Sequence, residues 1–386
     1  VTGSSVTAQP NYGYLANNSS QITVTLPVSP SKGDIVSVTG VGEGGWKIVP
    51  SGSQVIWTTT IGGVGAVWNA GADSRNWQAL ATASSGQNAA AVVYNGQVYT
   101  TTNYGGTWGG PYGAVKNWTG LASSADGSKL VATVTGDRIY RSTDSGKNWA
   151  VAGDSASAAW WVVASSADGT RLAAGINPGY IYTSADSGSH WTRRDSSGSR
   201  TWWGLASSSD GTVLAGAENG GKIWVSTDGG ATWTGTGSSG PWSCVAMNAD
   251  GTRLLAGAYG GGLYTSVDLG QSWIAREGTR KWRGVVVSSD GRRMAAAAEA
   301  GKIYVSGDYG DTWLARYEVR DWCPLACSAT GYVLYAAAAP GQIYASRPLT
   351  SNSGYVAGGQ ETAIELQYIG NNVFRPLFHE GVFEIR

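Results

Sequence analysis

The chain has 386 residues and carries 26 Lys+Arg against 26 Asp+Glu, a formal net charge of zero. That balance gives no general electrostatic hold on nucleic acid or an anionic membrane, and no apolar run approaches the ~18 residues of a spanning helix. Glycine at 58 and tryptophan at 19 exceed ordinary usage. Turn-forming glycine, packing indoles and no sustained helical periodicity point to an all-β chain.

Val1 opens the chain and no signal-peptide pattern follows it. Residues 1–20 are polar. Residues 21–26 alternate apolar and polar and predict a strand, followed by strands at 35–40, 44–49 and 54–58. Near the other end, 362–369 alternates in the same way, 370–372 turns, and Val373-Phe374 begins a return strand. A few strands need a partner face for stability. Residues 1–62 and 349–386 are therefore expected to form one small discontinuous β domain, with 63–348 inserted between its halves.

The inserted stretch repeats. Trp77, Trp118, Trp160, Trp202, Trp242, Trp282 and Trp322 recur at steps of 40–42 residues and begin repeats 1 to 7. A period of 40–45 residues with strand patterning predicts propeller blades of four strands, seven in all. Repeat 4 parses fully: strand 202–206, a turn at Asp210-Gly211, strand 212–216, a glycine hairpin at 219–221 and strand 222–226. Trp233 then opens an outer strand. Repeat 7 breaks at Arg347-Pro348 without such a Trp, while Trp68 stands nine residues ahead of Trp77, as Trp233 does before Trp242. Residues 67–69 are expected to supply the missing outer strand and leave no free sheet edge at the junction.

In repeats 2 to 6 the third strand runs into S-x-D-x-G-x-x-W, centred on Asp144, Asp186, Asp228, Asp268 and Asp308; Thr101-Asn103-Gly105-Trp108 in repeat 1 is a softer copy. An Asp side chain can accept the N–H groups of its own turn, glycine turns the chain, and Trp packs between strands. Recurrence in nearly every repeat favours a fold device over an acid or metal ligand. The motif resembles the Asp-box (BNR) hairpin of sialidase-like propellers, and photosystem assembly factors carry similar boxes. The flanks, 13–48 and 358–381, resemble small β modules of bacteriophage tail-fibre and bacterial surface or injection-system proteins. That resemblance implies a fibre- or surface-attached, trimer-prone module.

Three cysteines, Cys244, Cys323 and Cys327, make no disulfide framework and read as buried small hydrophobes, with one pairing as the alternative. His190 and His379 are distant from each other and no C-x-x-C is present, so neither metal nor cofactor is expected.

The candidate ligand surface is the rim that joins one repeat to the next. Arg75, Lys116, Arg200, Arg280 and Arg320 each stand two residues before a repeat Trp, and Trp160-Trp161 and Trp202-Trp203 are doubled. Indoles stack on sugar faces and guanidinium groups bind hydroxyls or carboxylates. Trp161, Trp202, Trp203, Trp282 and Trp322 with those five cations are the candidate glycan-binding set. Against it stands packing: the repeat Trp can be a blade core and the cation its stacking partner. In a regular strand neighbours face opposite sides, so one Trp of each doublet is surplus to packing.

A sialidase-like enzyme needs an arginine triad, a tyrosine nucleophile and a glutamate partner; a glycosidase needs two carboxylates across one bond. Of the non-box acids near this rim, Glu218, Glu299, Glu318 and Asp321, no two form an obvious pair. The expected function is therefore non-enzymatic adhesion or receptor recognition through a glycan. The partners would be a cell-surface receptor and further copies of the chain, in an extracellular, cell-surface or virion setting. The alternatives are a filament subunit or protein-binding scaffold, and a sialidase-like glycoside hydrolase.

Overall fold

A computed structural model describes residues 1–56, 65, 68–346, 356–370, 372–380 and 383–385. The expected boundaries at 62/63 and 348/349 lie outside the described residues, as do positions 57 and 58 of the fourth predicted strand. The chain divides into two compact units, Val1–Ala66 with Arg347–Arg386, and Val67–Ser346.

The first unit holds two five-stranded sheets. One runs Ser5–Thr7, Ile22–Thr25, Trp46–Val49, Val356–Gly358, Phe383–Ile385. The other runs Tyr12–Ala16, Ile35–Gly40, Ala363–Gly370, Val373–Glu380, Val55–Ile56. Strands from both ends of the chain thus sit side by side in each sheet. The alternation read from the sequence becomes one core: Ile22, Val24, Val36, Val38, Trp46, Ile364, Leu366 and Phe374 are buried together. Several neighbours pair in parallel, among them Ile22–Thr25 with Trp46–Val49.

The second unit is built from antiparallel strands throughout. In repeat 4, Trp202–Ser207 pairs with the first half of Leu214–Ser226, and the second half pairs with the start of Thr234–Met247. Four-strand runs of this kind recur from Trp77, Trp118, Trp160, Trp242, Trp282 and Trp322. The innermost strand carries one irregularity in each run. Its register shifts directly after the Trp, between Trp77 and Ala79, Trp202 and Gly204, and at the matching places of the others. One extra residue is inserted there, which breaks strict alternation.

Two sets of turns hydrogen-bond to each other on each side of the runs. The box donates to the turn after the first strand: Ser145 N–H to Ser128 O, and Ser187 N–H to Thr170 O, both at 2.9 Å. The second hairpin meets the link into the same repeat, as in Asn219 N to Thr201 O at 2.9 Å. The first-strand turns are also bonded from repeat to repeat. Ser84 N donates to Ala125 O, Ala125 N to Ala167 O, Ala167 N to Ser209 O and Ser209 N to Ala249 O. Ala249 N donates to Ser289 O, Ser289 N to Ala329 O, and Ala329 N returns to Ser84 O at 2.8 Å, so the series closes on itself.

The junction of first and last repeats is closed by strand pairing as well. Asn69–Ala70 lies antiparallel to Ile343–Ser346, with Tyr344 opposite Ala70 and Ala345 opposite Asn69. Trp68 is buried. The Tyr317 ring lies between Trp68 and Trp322, its centroid 6.0 Å from each.

Candidate functional site

The five boxes are one structure repeated. In each, the Ser hydroxyl donates to Asp Oδ1 at 2.7–2.8 Å and accepts the Gly N–H at 2.9 Å. Asp Oδ1 also accepts the N–H four residues on, at 2.9 Å in every box. The softer copy keeps the geometry with Asn103 Oδ1 accepting Thr101 Oγ1 and Thr107 N. The box Trp stacks against the inner-strand Trp, with centroids 5.4–6.4 Å apart in repeats 1 to 5. Asn148 and Ser142 donors hold the Asp144 carboxyl at about 2, and Thr232 donors hold Asp228 at about 2. These carboxylates are committed to their own turns.

One box carries an imidazole. Where the others place Asn148, Thr232, Ser272 and Thr312, repeat 3 places His190, with Nδ1 2.6 Å from Asp186 Oδ2. The bond to Asp186, and then its charge, raise the His190 pKa above its ordinary 6.5. A raised folded value adds stability that is full below about pH 6.5 and fades as pH climbs through that folded value. The melting temperature is therefore expected to dip slightly across that window. His190→Thr should remove the dip; a variant with the same pH slope would show that the pair contributes nothing.

The predicted ligand set separates into buried and accessible members. Trp202, Trp282 and Trp322 are each 0 % exposed. They cannot stack on a glycan and leave the candidate set; they are blade core. The five cations are also engaged. Arg200 lies 3.5 Å over the Trp224 ring and 3.4 Å from Glu218. Lys116 is 2.6 Å from Asp137 and 4.6 Å from the Tyr140 ring. Arg75 covers Tyr99, Arg280 covers Tyr304 and Arg320 covers Tyr344. Each covered ring is 24 residues beyond its cation, on the third strand of the same repeat. The expected stacking partner was the next Trp; in all five the cation covers this third-strand ring, and Arg280 alone among the described cations also reaches its next Trp, Trp282, at the longer distance of 5.9 Å.

Trp161 and Trp203 behave differently because they are the inserted residues of the register shift. Both are part-exposed, and both line a cavity of about 260 Å³ whose wall takes residues from the innermost strand of all seven repeats. Arg283, the residue after Trp282, lines the same cavity. Its guanidinium is 6.0 Å from the Trp203 ring, 5.7 Å from the Tyr259 ring and 3.6 Å from Glu299. Burial opposes ionisation of Glu299, yet the Tyr259 hydroxyl and Lys281 ammonium outweigh it and lower the pKa. Two indoles and a guanidinium thus share a concave wall, suited to a ligand with flat apolar and hydrogen-bonding parts.

Arg283 and Tyr259 lie outside the pattern of cations two residues before each repeat Trp, so that pattern does not reach them. The usable signal was that Arg283 is the one charged residue directly after a repeat Trp. Cys244 and Cys323 also lie on the wall, and all three thiols are free. Burial pushes Cys244 and Cys327 up to about 12, which makes them inert at neutral pH.

Solved structures with similar folds are β-propellers. YCF48 from Cyanidioschyzon merolae superposes with TM-score 0.58 at 17% identity, covering 73% of this chain and 99% of that one. YCF48 bound to D1 peptide gives TM-score 0.59 at 15% identity, over 74% and 96%. The β-propeller domain of Myceliophteria thermophila Cps50 (Swd1) gives 0.58 at 13%, over 72% and 99%. No protein-family model and no curated protein matches the chain. These likenesses define an all-β chain with a β-propeller fold.

Proposed function

We propose that the chain is a seven-bladed Asp-box propeller carried on a discontinuous β domain, and that it is a non-enzymatic scaffold binding a protein segment at its central cavity. The observation that carries this reading is the contrast among indoles. The Trp residues that begin each repeat are buried, whereas Trp161 and Trp203, with Arg283, remain accessible on one concave wall. Trp and Arg are the side chains that most often dominate protein recognition. The peptide in the YCF48 complex supports the same class of partner. The closed series of bonds through Ser84 and Ala329 supports the count of seven.

The test is selection of displayed random peptides on the immobilised protein. Peptides that survive should bind about tenfold or more weakly to Trp203→Ala, the loss of a hot-spot residue. No enrichment, or affinities indifferent to Trp161→Ala and Trp203→Ala, would remove the reading.

Glycan adhesion on a fibre or surface assembly is the second reading, favoured by the same two indoles beside a guanidinium. A glycan array that lights up and falls silent with Trp203→Ala, while peptide selection fails, would select it. Oligomerisation through the β domain belongs to either reading and would appear as concentration-independent trimers in light scattering. Hydrolysis has little support. Glu218 is bound by Arg200, Trp224 Nε1 and Lys222 N, and Glu299 by Tyr259 and Lys281. A fluorogenic sialoside should stay intact.

A further inference from the structure

Comparing equivalent positions across the repeats isolates one cleft that is built differently from the rest. It lies between repeats 2 and 3, beside the boxes, and encloses a cavity of about 110 Å³ lined by Lys129, Leu130, Val131, Arg141, Leu172 and Ser187 among others. Arg141 stands directly before the box serine Ser142; the residues in that place in repeats 3 to 6 are Thr183, Val225, Thr265 and Val305. In repeats 3 and 5 the cation comes instead from the outer strand. Arg194 Nε donates to Thr183 Oγ1 and Arg276 Nε to Thr265 Oγ1, both at 2.7 Å. Arg276 is then neutralised by Asp311 of the next box, at 2.7 Å.

Repeat 2 lacks both halves of that arrangement. Its outer strand has Ala152 in place of the arginine, and the next box has Ser189 in place of Asp311. Arg141 Nη1 reaches across to Ser187 O at 2.7 Å and Ser189 Oγ at 3.2 Å, both neutral acceptors. Its Nε and Nη2 bond to no described residue, and no described carboxylate forms an ion pair with it. Lys129, the second cation, donates to the Asp168 carbonyl at 2.9 Å. The Asp168 carboxylate feels the Lys129 charge but is bound by the Ser166 and Thr170 hydroxyls.

A half-buried guanidinium beside Leu130 and Leu172 is screened less than one in open water. It still presents N–H groups in the fork that matches two oxygens of an anion. We propose that this cleft is an oxyanion site, taking a carboxylate or phosphate group on Arg141 with Lys129 as the second charge. A free ion and the charged end of an organic molecule would be recognised by the same contacts. The site is independent of the cavity at the propeller centre.

The experiment is calorimetric titration with inorganic phosphate, acetate and O-phosphoserine, at constant ionic strength set with NaCl. Saturable binding of at least one probe is expected, weakened about tenfold or more in Arg141→Thr, the residue that repeats 3 and 5 carry there. Arg141→Lys should keep part of the affinity, because charge remains without the fork. Tighter O-phosphoserine than phosphate assigns the tethered end; the reverse assigns the free ion. If Arg141→Thr does not fold by circular dichroism, Lys129→Val, matching Val213 of repeat 4, replaces it with the same expectation. Absence of heat with all three probes, or equal affinity in wild type and a folded variant, overturns the proposal.

Discussion

Trp202→Ala is expected to destabilise the protein by about 3–5 kcal/mol, whereas Trp203→Ala, one residue along, should cost far less and alter binding instead. Trp202 is fully buried, packs at 6.0 Å from Trp233, and donates Nε1–H to Gly179 O at 2.9 Å. The fit is close: a Cβ on Gly216 would come within 2.7 Å of its ring. Alanine would leave both a cavity and an unpaired carbonyl. Trp203 has solvent on one side and, among the described residues, Arg283 as its one ring partner, at 6.0 Å. Denaturant melts of the two variants, fitted with a common slope, decide the matter. Equal losses would mean that Trp203 is core, and would take the proposed binding wall with it.

The contrast also marks where the sequence stops being readable. Period, boxes and the alternating flanks were legible because each rests on a residue type that the local structure requires: glycine in the turn, Asp under its own N–H groups, apolar side chains on alternate positions. That one indole of each doublet is surplus to packing was legible too, but the cause that selects Trp161 and Trp203 was not, because a register shift moves one residue without demanding a particular side chain. The inserted positions accordingly vary from Gln78 and Thr119 to Trp203 and Arg283. A trace does exist one residue further on. Gly120, Gly204 and Gly284 follow the inserted residue in repeats 2, 4 and 6. A Cβ on Gly284 would meet Cys323 O at 2.5 Å, and one on Gly204 would meet Val245 N at 3.0 Å. Those glycines let adjacent innermost strands approach. The cations failed as ligand candidates for a related reason: their partners lie 24 residues away, beyond any local pattern.

Deletion of residues 68–70 should lower the melting temperature sharply and promote association. Two residue pairs join Asn69–Ala70 to Ile343–Ser346. Hydrogen bonds of that kind add roughly 1 kcal/mol each. The larger share comes from Trp68, 6 % exposed, whose removal should cost about 3–5 kcal/mol. Without this segment the Ile343–Ser346 strand would become an open edge, a template for pairing with another chain. Trp68→Ala is the graded control. It removes the ring but keeps the strand, so its melt should fall most of the way to that of the deletion, without the association. A deletion variant that melts with wild type and stays monodisperse would mean that the remaining contacts of the first and last repeats suffice, among them the Ala329–Ser84 and Arg75–Gly341 backbone bonds and the core around Trp77 and Tyr335.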